Sequence, residues 1–262
     1  MTRVSPHEVA DSRLSRLITR ARSAVLVRST GGRPAPLVEA AVLALVILLF
    51  SRLHAAAGKD VVAATAHARA LQSLERALHL NVELTANQWL TAHPSLILPA
   101  VFYYRLYYVA IIGVLVWTYL RRADVYVKVR RTLVAMSVLV LPVFWALPMS
   151  PPRFALPGIV DIVARHDLLT SRPSGSGQNL YSAMPSMHMG WSLWCAYAVW
   201  CGLRPSHPRL AWLAWIFPLG MAAVVLTTGN HYVLDIAGSA VLLIVSIAAV
   251  RAWNTLTRHL RT

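Results

Sequence analysis

The sequence predicts an all-α, polytopic membrane protein: a six-transmembrane-helix bundle with amphipathic surface helices. Three observations predict it. Of 262 residues, 57% are hydrophobic and only 13% charged, with a mean hydropathy of +0.54, outside the range of ordinary soluble domains. Runs long and apolar enough to span a hydrocarbon core lie at residues 37–53, 97–120, 132–148, 188–203, 210–226 and 233–250. Lys and Arg alternate in density between the runs: seven in residues 1–36, five in 121–131, two in 204–209 and three in 251–262, against seven in the alternate segments, counting Arg52 at the end of the first run. Cytoplasmic loops keep the excess of such residues, so both termini are expected in the cytoplasm and the alternate loops outside. A buried core helix of a soluble protein would account for the shorter runs singly, but six together argue against it.

Taken in order, residues 1–36 form a basic cytoplasmic segment. Ser5-Pro6-His7-Glu8 reads as a capping box, and Arg13, Arg16, Arg20 and Arg22 alternate with Leu14, Leu17, Ile18 and Val25. This pattern predicts a helix lying on the inner leaflet; a disordered basic tail is the other reading. The first run is long enough to span, which disfavours a cleaved leader. Membrane domain 37–251 follows. Within it, segment 58–92 places Ala64, Ala68, Leu71, Leu74 and Leu78 at helical spacing, with Arg69, Glu75 and Arg76 between them, an amphipathic outer helix whose simplest role is connection and packing. The second span holds Tyr103, Tyr104, Arg105, Tyr107 and Tyr108. A fixed cation inside a span needs a polar cavity, so Arg105 is a candidate phosphate contact. The outer loop 149–183 is stiffened by Pro151, Pro152 and Pro157 and loosened by Ser174-Gly175-Ser176-Gly177. Residues 252–262 close the chain as a cytoplasmic tail. Cys195 and Cys201, six residues apart on one helix, are too far apart to pair with each other. The net charge of +15 is spread over loops rather than gathered on a compact domain, which favours anionic lipid headgroups and the bilayer over nucleic acid as partners.

Chemistry concentrates where apolar runs meet the outer loops. His231 and Asp235 are four apart at a helix start, so the carboxylate can hold one ring nitrogen and leave the other bare as a nucleophile or base. His188 opens its own span and can serve as the acid toward a leaving oxygen. Ser186 and the amides at that helix start suit an anion, Arg153 can clamp phosphate in bidentate fashion, and Asn230 adds a neutral donor beside the nucleophile. Ser186 as a protease-like nucleophile is a weaker reading, because residues two apart on a helix diverge. A third tightly spaced ligand for a metal is missing, so neither metal nor cofactor is expected.

The segments Pro151-Pro152-Arg153-Phe154, Ala183 to Trp191 (AMPSMHMGW) and Gly229 to Gly238 (GNHYVLDIAG) resemble the three motifs of the type 2 phosphatidic acid phosphatase (PAP2) superfamily, related in fold to the vanadium haloperoxidases. More narrowly the chain resembles the inositol phosphorylceramide synthase branch, an inositolphosphotransferase group. The likeness runs from about Leu133 to Val250, with a weaker echo at Leu74-Glu75-Arg76. It implies attack by His231 on phosphorus, orientation by Asp235, protonation of the leaving group by His188, phosphate contacts from Arg153 and Ser186, and no metal. Two departures stand out: residues Leu147 to Pro152 before Arg153 hold no Lys, and Val224 and Val225 occupy the positions of a Ser-Arg pair. Arg105, with Arg165 or Arg172 behind it, is the candidate replacement. The resemblance thus implies an enzyme of the cell membrane acting at the outer face on a phospholipid or polyprenyl phosphate. A transporter or proton relay, and an inactive scaffold of the same fold, are the competing readings.

Overall fold

The computed structural model describes residues 33–166 and 179–260. The expected helix within residues 1–32, the Gly/Ser stretch and Arg172 lie outside the described residues. Helix α1 (Pro36–Ala56) is followed by α2 (Val61–Ala77), α3 (Glu83–Thr91), α4 (Pro94–Arg121), α5 (Ala123–Ala146), the short α6 (Pro152–Ala155) and α7 (Ile162–His166), then α8 (Met187–Leu203), α9 (Pro208–Leu213), α10 (Ile216–Thr227) and α11 (Val233–His259). The chain divides into two compact units at Leu49/Phe50, inside α1. In the first, residues 37–49 form an apolar stretch of α1.

The multi-pass membrane character follows directly. Among the described residues, five segments are long and apolar enough to cross a bilayer: Pro36–Ala56, Pro94–Arg121, Ala123–Ala146, Pro208–Thr227, which joins α9 and α10, and Val233–His259. The sixth expected span, α8, is a helix of 17 residues, about 25 Å long and just short of a typical hydrocarbon core. Packed against α4, α5, α9, α10 and α11, it buries most of its length, with Trp194 and Ala198 fully enclosed. The Trp194 indole donates to the Val129 carbonyl at 2.8 Å and ties α8 to α5. Small hydroxyls also sit at these interfaces without cost, because Ser192, Ser239 and Ser246 each bond a carbonyl one turn back on their own helix.

Three expectations are corrected. The third spanning helix starts at Ala123 rather than near 132, because Asp124, Lys128, Arg130 and Arg131 lower hydropathy without breaking a helix. Arg131 reaches Asn254 at 2.5 Å, so α11 continues to His259 instead of ending near residue 250. The phase of the outer helix also differs. Ala64, Ala68, Leu71 and Glu75 form the buried stripe of α2, while Leu74 and Leu78 are 51% and 52% exposed. Alanine at two positions lets the α2 backbone approach closely, as shown by Ser150 N–H donating to Ala64 O at 3.1 Å.

Candidate active site

The site is assembled by a turn, two helix starts and a docked loop. At the end of α10, Asn230 N–H and His231 N–H both return to Val225 O, at 3.1 and 3.2 Å, folding the chain sharply before α11. Gly229 makes that possible: its φ is +71°, and a Cβ there would stand 2.5 Å from Ile159 Cγ2. Asn87 of α3, fully buried, fastens the same corner by donating to Thr227 O and Val160 O and accepting from Val160 N–H. Gly229→Ala should therefore lower thermal stability in detergent, with the left-handed conformation alone costing roughly 1–2 kcal/mol, and should move His231.

His231 is 6% exposed, and its surroundings define its tautomer. Nδ1 lies 2.9 Å from Ala183 O and 3.2 Å from Asp235 Oδ2. A carbonyl only accepts, so Nδ1 carries the hydrogen and Nε2 keeps a free lone pair. Asp235 is fully buried and its Oδ2 also accepts Tyr232 N–H at 2.9 Å. One carboxylate oxygen thus caps α11 and orients the imidazole. Ala183 reaches the ring because its segment is pinned: Met149 and residues 181–183 exchange backbone hydrogen bonds at 2.7 and 3.2 Å, and His54 bonds Ser182 Oγ at 2.8 Å.

His188 comes from the first turn of α8 and stands beside His231, the ring centroids 5.7 Å apart. Tyr104 stacks on it at 4.1 Å and Tyr107 meets it edge-on at 4.8 Å, so the tyrosines of α4 form its wall. Arg105 lies with its guanidinium 5.6 Å from the Tyr104 ring. Ser186 is fully buried; its hydroxyl caps α8 by accepting Met189 N–H at 3.3 Å, and its N–H and carbonyl bond Asp235 O and Ser239 Oγ. It clamps α8 to α11 directly behind the two histidines.

Arg153, in α6, is attached to the turn before His231 twice. Its N–H donates to Gly229 O at 2.9 Å and its Nη1 to Asn230 Oδ1 at 2.6 Å. Nε pairs with Asp161 Oδ2 at 3.2 Å. Asn230 accordingly serves Arg153 as an acceptor, and its amide nitrogen bonds Thr228 Oγ1 at 2.8 Å. Arg165 is exposed on α7.

The sequence reading did not assign Glu75 and Glu83 to the site. Glu75 Oε1 accepts Leu234 N–H at 2.7 Å and Glu83 Oε1 accepts Val233 N–H at 3.3 Å, so α2 and α3 hold the first turn of the helix that carries Asp235. Gln72 adds a bond to the Tyr232 hydroxyl at 3.1 Å. A signal was present for Glu75, which falls on the same helical stripe as Ala64, Ala68 and Leu71. None marked Glu83 or Asn87, whose partners are backbone groups far along the chain.

Within a helical membrane protein, an enclosed His–Asp pair thus stands with a second histidine beside it and an arginine docked on the same turn. A family model for the PAP2 superfamily matches residues 69–249, a stretch that contains Arg105, Arg153, Ser186, His188, Asn230, His231 and Asp235, and the chain belongs to that superfamily. No curated protein and no solved structure matches the chain. Membership supports, in general terms, a phosphatase-type enzyme acting on lipid phosphate.

Proposed function

We propose that this protein is an integral-membrane enzyme that removes or transfers a phosphoryl-linked headgroup of a lipid or polyprenyl phosphate through a phosphohistidine at His231. One observation carries the reading: Nδ1 of His231 is committed to Ala183 O and Asp235 Oδ2, while His188 stands alongside. Nε2 of His231 attacks phosphorus, and the bond from phosphorus to the leaving oxygen breaks as His188 gives that oxygen a proton. His188 then takes a proton from water or an alcohol, whose oxygen displaces His231 from phosphorus. Asp235 offsets the positive charge that the substituted ring gains in between.

Arg153 neutralises the phosphate by exchanging Asp161 for substrate oxygens, with Asn230 keeping the guanidinium in place. Arg105 supplies further positive charge from the Tyr104 side, in the role left open by Val224 and Val225. Arg153→Lys should lower kcat/KM by on the order of 10²-fold, since a point charge cannot hold Asn230 and phosphate at once; kinetics on a purified variant check it. The missing third-motif arginine favours the inositolphosphotransferase-like branch over simple phosphatases. The Lys and Arg distribution favours cytoplasmic termini and an outward-facing site in the cell membrane.

The polar groups gather in the first turns of α8 and α11 and in the loops beside them, whereas hydroxyls deeper in the helices are tied to their own backbones. That arrangement supports an enzyme over a proton relay threading the bundle. The deciding experiment presents purified protein with labelled phosphatidic acid and phosphatidylinositol, with and without inositol-type and lipid alcohols. Release of phosphate alone means hydrolysis. Label moving to the alcohol means transfer, and no turnover of any lipid phosphate would overturn the reading.

A further inference from the structure

The start of α11 is unusual in what satisfies it. Its consecutive N–H groups at Tyr232, Val233 and Leu234 each end on a different carboxyl: Asp235, Glu83 and Glu75. Glu75 and Asp235 are fully buried and Glu83 is 2% exposed. A helix start offers free N–H groups and about half a unit of positive charge, enough to favour one or two carboxylates. Three full negative charges in one enclosed space are another matter, because desolvation and mutual repulsion both oppose them. A second observation comes from the other oxygen of Glu75. Oε2 is buried and bonds nothing as an acceptor among the described residues, yet the Glu75 and Glu83 side chains are within hydrogen-bonding reach of each other. Two bare carboxylates at that spacing repel each other, whereas a protonated one can donate to its neighbour.

We propose that Glu75 and Glu83 share one proton, and that this acid–carboxylate pair is a positioning device which sets the Tyr232–Asp235 turn, and through it His231, for attack. The proposal rests on the reading of His231 as nucleophile. Burial, and then the neighbouring Glu83 and Asp235, push the Glu75 carboxyl up to about 8, so the proton is held at neutral pH and lost on the alkaline side. The groups facing the pair are Glu83 from α3, Tyr232 and Asp235 from the start of α11 with His231 next to them, and Gln72 on α2 itself, bonded to the Tyr232 hydroxyl; Arg153 on α6 is occupied by Asp161 and Asn230. With the proton gone, the pair carries two negative charges beside Asp235, where an anionic phosphate must approach and where the turn must hold its shape.

Glu75→Leu removes both the acceptor for Leu234 and the proton, and should lower kcat by about tenfold or more with KM little changed. Glu75→Gln restores an acceptor for Leu234 and a donor for Glu83, so it should recover most of that loss and abolish the fall in kcat centred near pH 8. Stability gives a readout independent of turnover. The native state keeps a proton that the unfolded chain releases at the ordinary carboxyl value, so this contribution to stability is full below about pH 4 and is lost as pH rises through about 8. Glu75→Gln should flatten that slope. The infrared band of a protonated carboxyl should be present in the wild type at neutral pH, fade as pH passes about 8, and be missing from Glu75→Gln. Absence of the band from the wild type, or an alkaline limb unchanged in Glu75→Gln, would overturn the shared proton. If instead His231→Ala keeps full turnover while the band behaves as described, the nucleophile assignment fails and the proton pair stands.

Discussion

His231→Ala is expected to lose turnover by at least about 10³-fold, the scale of removing a nucleophile that forms a covalent intermediate. The fold should survive. The ring contributes one shared hydrogen bond, from Nδ1 to Ala183 O and Asp235 Oδ2, and its loss leaves Asp235 still bonded to Tyr232 N–H. A net cost of about 1 kcal/mol is expected for such a bond, so Asp235 continues to cap α11. His231→Gln keeps a polar side chain in the same enclosure and serves as a second variant should alanine prove unstable. The check is turnover of a labelled lipid phosphate by purified variants whose thermal unfolding in detergent is followed in parallel. Retained turnover in a folded variant would remove His231 from the chemistry.

Asp235→Asn is expected to lower kcat by on the order of 10²-fold with KM nearly unchanged. The substitution is close to isosteric, and the amide oxygen can take the place of Oδ2, accepting from both Tyr232 N–H and His231 Nδ1. The amide nitrogen would then occupy the position of Oδ1, which is buried and accepts nothing among the described residues. What disappears is the negative charge that offsets the cationic phospho-imidazole. Loss of a triad carboxylate can cost about 10⁴-fold when the tautomer inverts. Here Ala183 O independently holds the hydrogen on Nδ1, so the penalty should be smaller. Asp235→Ala, by contrast, removes the cap as well and should lower both activity and stability. Steady-state kinetics of the two variants separate charge from geometry; equal losses in both would contradict the division of labour assigned to Asp235.

The chemistry of the site was more legible in the sequence than its support. His188, His231, Asp235 and Arg153 could be picked out because each stands at the edge of an apolar run, where an ionisable group is expensive, and because their spacing has a chemical purpose. The structure gathers all four. Asp161, which holds Arg153, and Asn87, which holds the Gly229 corner, act on groups 8 to more than 70 residues away, and no local pattern announces such partners. For α2 the difficulty was phase. Leu74 and Leu78 look like core residues and Glu75 like surface, but a stripe with Ala64 and Ala68 packs closer to its neighbour than one with two leucines, so the glutamate goes inside and the leucines out. Hydropathy located the helices by their greasiest portions and placed the start of α5 too late, since charged residues in a helix depress the signal while leaving the backbone unaffected.

The most direct measurement is a rapid quench of the purified enzyme with lipid substrate labelled at phosphorus, followed by mapping of protein-bound phosphate. The expected result is an acid-labile, alkali-stable label on the peptide containing His231, formed at the rate of the first step and absent from His231→Ala. Label on any other residue, or steady turnover with no phosphoprotein at any quench time, would contradict a phosphohistidine at this site.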